Sequence, residues 1–167
     1  MSNRLNDIIR FYELLDILKS KVGGVRYLKD CDGRMQWAQR GVYFFMEESE
    51  KRSDSGNGLR VVRVGTHAVS AGSQTTLWKR LSQHKGVAST GGGNHRGSVF
   101  RKLVGTAILS STNSECETWH IKKTASREIR QAEQPLEKKV SGVMGAMPFL
   151  WVAIDDPASR DSLRGFI

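Results

Sequence analysis

Residues 55–114 contain no Asp and no Glu. The same sixty residues hold eight Lys or Arg, namely Arg60, Arg63, Lys79, Arg80, Lys85, Arg96, Arg101 and Lys102, with His67, His84 and His95 among them. The whole chain has a formal net charge of +9, so almost all of the excess lies in this one segment and the flanks are close to neutral. A field so localised is a footprint for a polyanion, and nucleic acid is the first partner it suggests. The plainer alternative is a solvated basic face, since a charge run alone establishes no contact.

Cysteine is scarce as well. Cys31 and Cys116, the only two, have neither the number nor the spacing of a disulfide framework or a zinc cage, and both are read as reduced and structural. Long apolar runs are missing: none approaches the ~20 residues that a membrane-spanning helix needs. The N-terminal stretch carries early charges in place of a signal peptide's uninterrupted apolar core. These absences lead to the expectation of a soluble, cytoplasmic protein with no membrane partner. A chain of 167 residues suits one domain, 1–167, with a proper core.

Within 6–21, Ile8, Phe11, Tyr12, Leu15 and Leu18 recur at helical spacing, and Gly23 and Gly24 follow as a stop signal. This predicts an amphipathic N-terminal helix within 1–24. Its polar face mixes Asp7, Glu13 and Asp16 with bases, which favours packing over membrane binding. Residues 41–46 and 59–65 are aromatic and β-branched, with a charged, Ser- and Gly-rich stretch between them, and read as a β-hairpin with a long, mobile loop. A helix over about 74–85 is expected next, then a glycine-rich loop over 91–97, then a helix capped by Ser98. Segment 111–126 gives no clear pattern. Pro135 suits the first turn of a further helix running to Gly145, and 147–154 reads as a buried strand. The fold class expected is α/β in the α+β sense: a small antiparallel sheet flanked by helices, with its core over 41–154. The stretch 155–167 starts like a capped helix at Ser159 and ends on the apolar Phe166 and Ile167, so the natural chain is expected to continue.

The helix around 77–84 carries the first chemistry. Leu77 and Leu81 define its buried stripe, and Arg80 and His84, four residues apart, lie at the edge of that stripe. Both should face the protein body, whereas Lys79 and Gln83 point away. An Arg offers a fork of donors to a phosphate, and a His can move or orient a proton near neutral pH. The competing view is a structural Arg paired with an acid, which would have to come from outside the acid-free segment.

Gly41, Val42 and Tyr43, then Arg63, Val64 and Gly65, then the run from Lys79 through Arg80, Leu81, Ser82 and Gln83 to His84 resemble, in order, the motifs of the GIY-YIG nucleases. The resemblance is close over about 41–85 and looser to about 145. It implies a metal-dependent DNA endonuclease that hydrolyses phosphodiester bonds with one Mg2+ or Mn2+, DNA being the partner and RNA left open. By the same resemblance Tyr43 matches the tyrosine that positions or deprotonates the attacking water. Arg80 matches the arginine that stabilises the scissile phosphate, and His84 a position near the nucleophile. Glu137 is the best match to the metal-binding carboxylate, with Glu133 as second choice, and Tyr43, Arg80, His84 and Glu137 are then expected to serve one site.

Two positions depart from the family pattern. Arg63 stands where the second motif has its tyrosine, and 147–154 lacks the Asn often found beyond the carboxylate. A catalytically inactive nucleic-acid-binding module on the same fold is therefore the alternative. Arg63, Lys79, His95, Arg96, Arg101 and Lys102 are read as nucleic-acid contacts. The three glycines before His95 would let backbone amides approach a phosphate closely, although the loop lacks the ending of a nucleotide-binding P-loop.

Overall fold

A computed structural model describes residues 3–121 and 124–166. Ile167 and the side chain of Phe166, on which the expectation of a longer chain rests, lie outside the described residues. The architecture is α+β, with one four-stranded antiparallel sheet and four α-helices among the described residues. No helix among them is long and apolar enough to cross a membrane. The chain forms two compact units.

The first unit comprises Gly33–Leu77 with the segments up to Tyr27 and from Met147 onward. Its sheet joins β1 (Arg26–Tyr27), β2 (Gly41–Lys51), β3 (Leu59–Gly65) and β4 (Pro148–Ala153) in the order β1-β4-β2-β3. Helix α1 (Asn3–Lys21) ends where Gly23 and Gly24 take positive φ. Its Tyr12 and Leu15 are buried with Met46 and Leu150, and Phe11, Leu18, Phe44 and Val61 pack around them. Each large apolar side chain so buried contributes about 1.5–3 kcal/mol, which is why the 3.6-residue stripe, and not intrinsic propensity, fixes this helix.

The hairpin is longer than the apolar pattern indicates. Strand β2 runs on to Lys51, past two register irregularities, leaving 52–58 as the connection. Its outer half is charged and largely exposed, held by the ladder and by an ion pair between Arg60 and Glu50 across the strands. The segment after β4 forms a 3-10 turn, Leu163–Phe166, in place of the expected capped helix. Arg164 is fully buried there, bonding the Asp156 carboxylate, the His67 carbonyl and the Pro157 carbonyl.

The second unit comprises Leu28–Asp32 and Trp78–Ala146. Helix α2 (Leu77–Lys85) starts at its edge, and α3 (Val99–Ser111) packs on α4 (Arg127–Ala146). Ser98 caps α3 as its residue type suggests, accepting from the Arg101 N–H at 3.2 Å. Pro135 is not at the first turn of α4 but inside it. The N-terminal part of α4 survives the missing N–H because tertiary bonds hold it. Glu133 is tied to Arg96 and Thr118, and Arg130 donates to the Ala125 carbonyl.

Candidate functional site

Helix α2 places its residues as the stripe requires. Leu77, Leu81 and His84 are fully buried, Arg80 is half-buried, and Lys79 and Gln83 are exposed. His84 Nδ1 lies 2.8 Å from Ser98 Oγ, so the hydroxyl that caps α3 also fixes the imidazole of α2. Arg80 Nη1 donates to Gln83 Oε1 at 3.0 Å and reaches the Gly97 carbonyl at 3.5 Å. Its Nε is buried without a hydrogen-bond partner among the described residues, and no carboxylate among them pairs with the guanidinium. An anionic oxygen at its accessible side would supply the missing counter-charge.

Glu137 and Glu133 tie up three of the expected nucleic-acid contacts, His95, Arg96 and Arg101, in buried pairs. Glu137 is 2% exposed. Its Oε1 accepts from the His95 N–H at 2.6 Å and from His95 Nδ1 at 2.9 Å. Its Oε2 accepts from Arg101 Nε at 3.1 Å and Nη2 at 2.5 Å. Burial alone would push this carboxyl up, but the bonds from His95 and Arg101 outweigh it and hold the pKa below the usual carboxylate range. The carboxylate is thus an acceptor only, and His95 Nδ1 carries the proton between them.

Glu133 receives Arg96 in a two-pronged pair, Nη1 to Oε2 at 2.6 Å and Nη2 to Oε1 at 2.8 Å, with Thr118 Oγ1 adding a third bond at 2.6 Å. Burial opposes ionisation here too, and the Arg96 and Thr118 bonds again leave the carboxyl low, while the bond to Glu133 raises Arg96. The acids that the acid-free segment cannot supply are therefore delivered by α4.

These pairs correct the surface reading of the loop. Arg101 is fully buried and His95 nearly so, its ring stacked on Trp119 at 3.8 Å between centroids. Neither is positioned as a surface contact for a phosphate. Gly93 is explained by the same packing: a Cβ there would collide with the Arg101 guanidinium, so the close approach that glycine permits is to this side chain. Lys102 remains half-buried on α3 and Lys79 exposed on α2.

Tyr43 and Arg63 belong to the first unit. Tyr43 is fully buried on β2, opposite Gly65 of β3 and Trp151 of β4, and its ring occupies the space where a Cβ on Gly65 would be. Arg63 pairs in register with Phe45 and is half-buried, its Nε without a hydrogen-bond partner among the described residues.

A divalent metal does not fit the carboxylate expected to hold it. An ionised carboxylate offers about four lone-pair directions, and all four on Glu137 are taken by donors, two of them from a guanidinium. A Mg2+ at about 2.1 Å would have to displace Arg101 from full burial. Glu133 is pre-empted by Arg96 in the same way. Among the described residues no three His, Cys, Asp or Glu side chains gather as a metal site.

The signal that sequence reading missed is the partner of each side chain: Ser98 for His84, Glu133 for Arg96, and Glu137 for Arg101 and His95. A glutamate recurring at 133 and 137 on one face of a helix, four residues apart, is the trace that was available. A family model described as "GIY-YIG domain" matches residues 2–167. No curated protein and no solved structure gives a significant match.

Proposed function

The chain belongs to the GIY-YIG domain family, and from that premise we propose that it is an endonuclease hydrolysing phosphodiester bonds in DNA. The family's enzymes are nucleases, generally dependent on a divalent metal, so nucleic acid is the substrate class. The observation that carries the proposal is Arg80, a half-buried guanidinium on α2 beside the 95–98 turn that pairs with no carboxylate among the described residues. In this reading Arg80 binds the scissile phosphate and offsets the charge that grows on it in the transition state. His84, oriented by Ser98, and Tyr43 are the groups assigned to the attacking water. Lys79, Lys102 and Arg63 are assigned to the phosphate backbone.

The test is relaxation of supercoiled plasmid with and without Mg2+. Wild type should nick the plasmid only with the metal. Arg80→Ala should lower the rate by about 100- to 1,000-fold and change DNA affinity far less, since other cations position the backbone. Equal rates for variant and wild type would remove Arg80 from the chemistry. The saturated Glu137 and Arg63 at the second motif favour a second reading, a module that binds nucleic acid without cutting it. Salt-sensitive binding with no nicking under any divalent metal, or RNA cleaved in place of DNA, would decide against the first.

A further inference from the structure

We propose that Glu137 is a positioning residue of the catalytic helix in this chain and not its metal ligand. This rests on the reading of Arg80 and His84 as catalytic. Two routes lead from the Glu137 carboxylate to α2, both inside the second unit. The first runs through Arg101. Its Nε and Nη2 hold Glu137 Oε2, its Nη2 also reaches the Glu137 carbonyl and Ser141 Oγ at 3.0 Å each, and its Nη1 donates to the His84 carbonyl at 2.8 Å. The guanidinium therefore closes the last turn of α2, where a cation also meets the negative end of the helix.

The second route runs through His95. Its N–H and Nδ1 both bind Glu137 Oε1 and fix the turn His95–Gly97. That turn presents the Gly97 carbonyl to Arg80 and Ser98 Oγ to the His84 ring. One carboxylate thus sets the backbone end of His84, the orientation of its imidazole and the seat of Arg80. Its four occupied lone pairs are what this task uses, and they leave no direction for a cation.

The experiment separates the two roles in the full chain. Mn2+ is titrated into the wild-type protein and into Glu137→Gln, and its affinity for each is read by calorimetry. Glu137→Gln should keep the wild-type Mn2+ affinity within about twofold. It should also lose nuclease rate by about 10- to 100-fold at temperatures where it is fully folded, as orienting partners typically do, and shift the His84 imidazole resonances.

Loss of Mn2+ binding in Glu137→Gln would overturn the inference. So would unchanged His84 resonances together with an unchanged rate. Should that variant fail to fold, Arg101→Lys, which keeps the charge and loses the bond to the His84 carbonyl, carries the same His84 and rate readouts. A wild type that cleaves nothing would end the nuclease reading alone, since the Mn2+ affinity and the His84 resonances report on Glu137 without turnover.

Discussion

Gly65 is the position where one added methyl group meets a candidate catalytic side chain. Its Cβ would fall on the ring of Tyr43, which is fully buried and lies opposite it in the β2-β3 ladder. Gly65→Ala should cost about 1–3 kcal/mol through overpacking, read by urea denaturation. If Tyr43 acts on the attacking water, it should also lower nicking beyond what the stability loss explains. A full-rate, fully stable variant would show that the ring can move without consequence. Asp156 is a residue of the opposite kind, needed for its charge. Asp156→Asn leaves Arg164, fully buried, without its anion, and a loss of about 3–5 kcal/mol is expected, whereas an exposed pair such as Arg10–Glu13 would move stability by under about 1 kcal/mol.

The elements divide sharply in how much of them the residues announce. α1, β2, β3, β4 and the Ser98 cap follow from apolar spacing and cap chemistry, because each depends on residues near in sequence. β1 has two residues, too few to show any period, and exists because β4 offers it an edge. The start of α4 was hidden by Pro135, which ordinarily marks a first turn but sits inside this helix. The tertiary bonds of Glu133 and Arg130 that hold the preceding residues come from elsewhere in the chain. An interior Pro costs about 3 kcal/mol, part of it offset by a stiffer unfolded chain. Pro135→Ala should therefore stabilise the protein by about 2 kcal/mol, raising Tm by about 4–8 °C. A lower Tm would mean that Pro135 makes a contribution beyond its backbone effect.

Helix α4 also predicts how stability depends on pH. Glu133 and Glu137 both have pKa values held below the ordinary range, so the folded state binds fewer protons than the unfolded one as pH falls. Their contribution is fully present above the unfolded Glu value of about 4.3 and is lost as pH drops through the depressed folded values. Tm should be level between about pH 6 and pH 5 and decline below pH 4. Glu137→Gln should flatten that decline while lowering Tm throughout. A decline as steep as wild type's would remove Glu137 as its source.

At the scale of the whole molecule, the basic segment that dominates the sequence is a mixture of two populations which composition cannot separate. Arg60, Arg96 and Arg101 are paired with Glu50, Glu133 and Glu137, all from outside the segment. Three of its eight cations are thus committed to carboxylates and are not available to a polyanion as solvated charges. Sequence charge treats every Lys and Arg as solvated, and the pairing acids lie up to 37 residues away, as Glu133 does from Arg96, so the footprint was legible and its effective size was not.

Counterion release makes the difference measurable. Each cation that neutralises a phosphate adds about −0.9 to the slope of log Kobs against log salt for duplex DNA. Removing Lys79 and Lys102 together, as the Gln variants, should therefore flatten the slope by about 2. Arg96→Gln should leave the slope unchanged and instead lower Tm, because its charge is already spent on Glu133. If Arg96→Gln flattened the slope as much as a lysine variant does, the Arg96–Glu133 pair would have to open when nucleic acid binds, and the 95–98 turn would be a contact after all. An unchanged slope in the double lysine variant would place the binding face on cations other than Lys79 and Lys102.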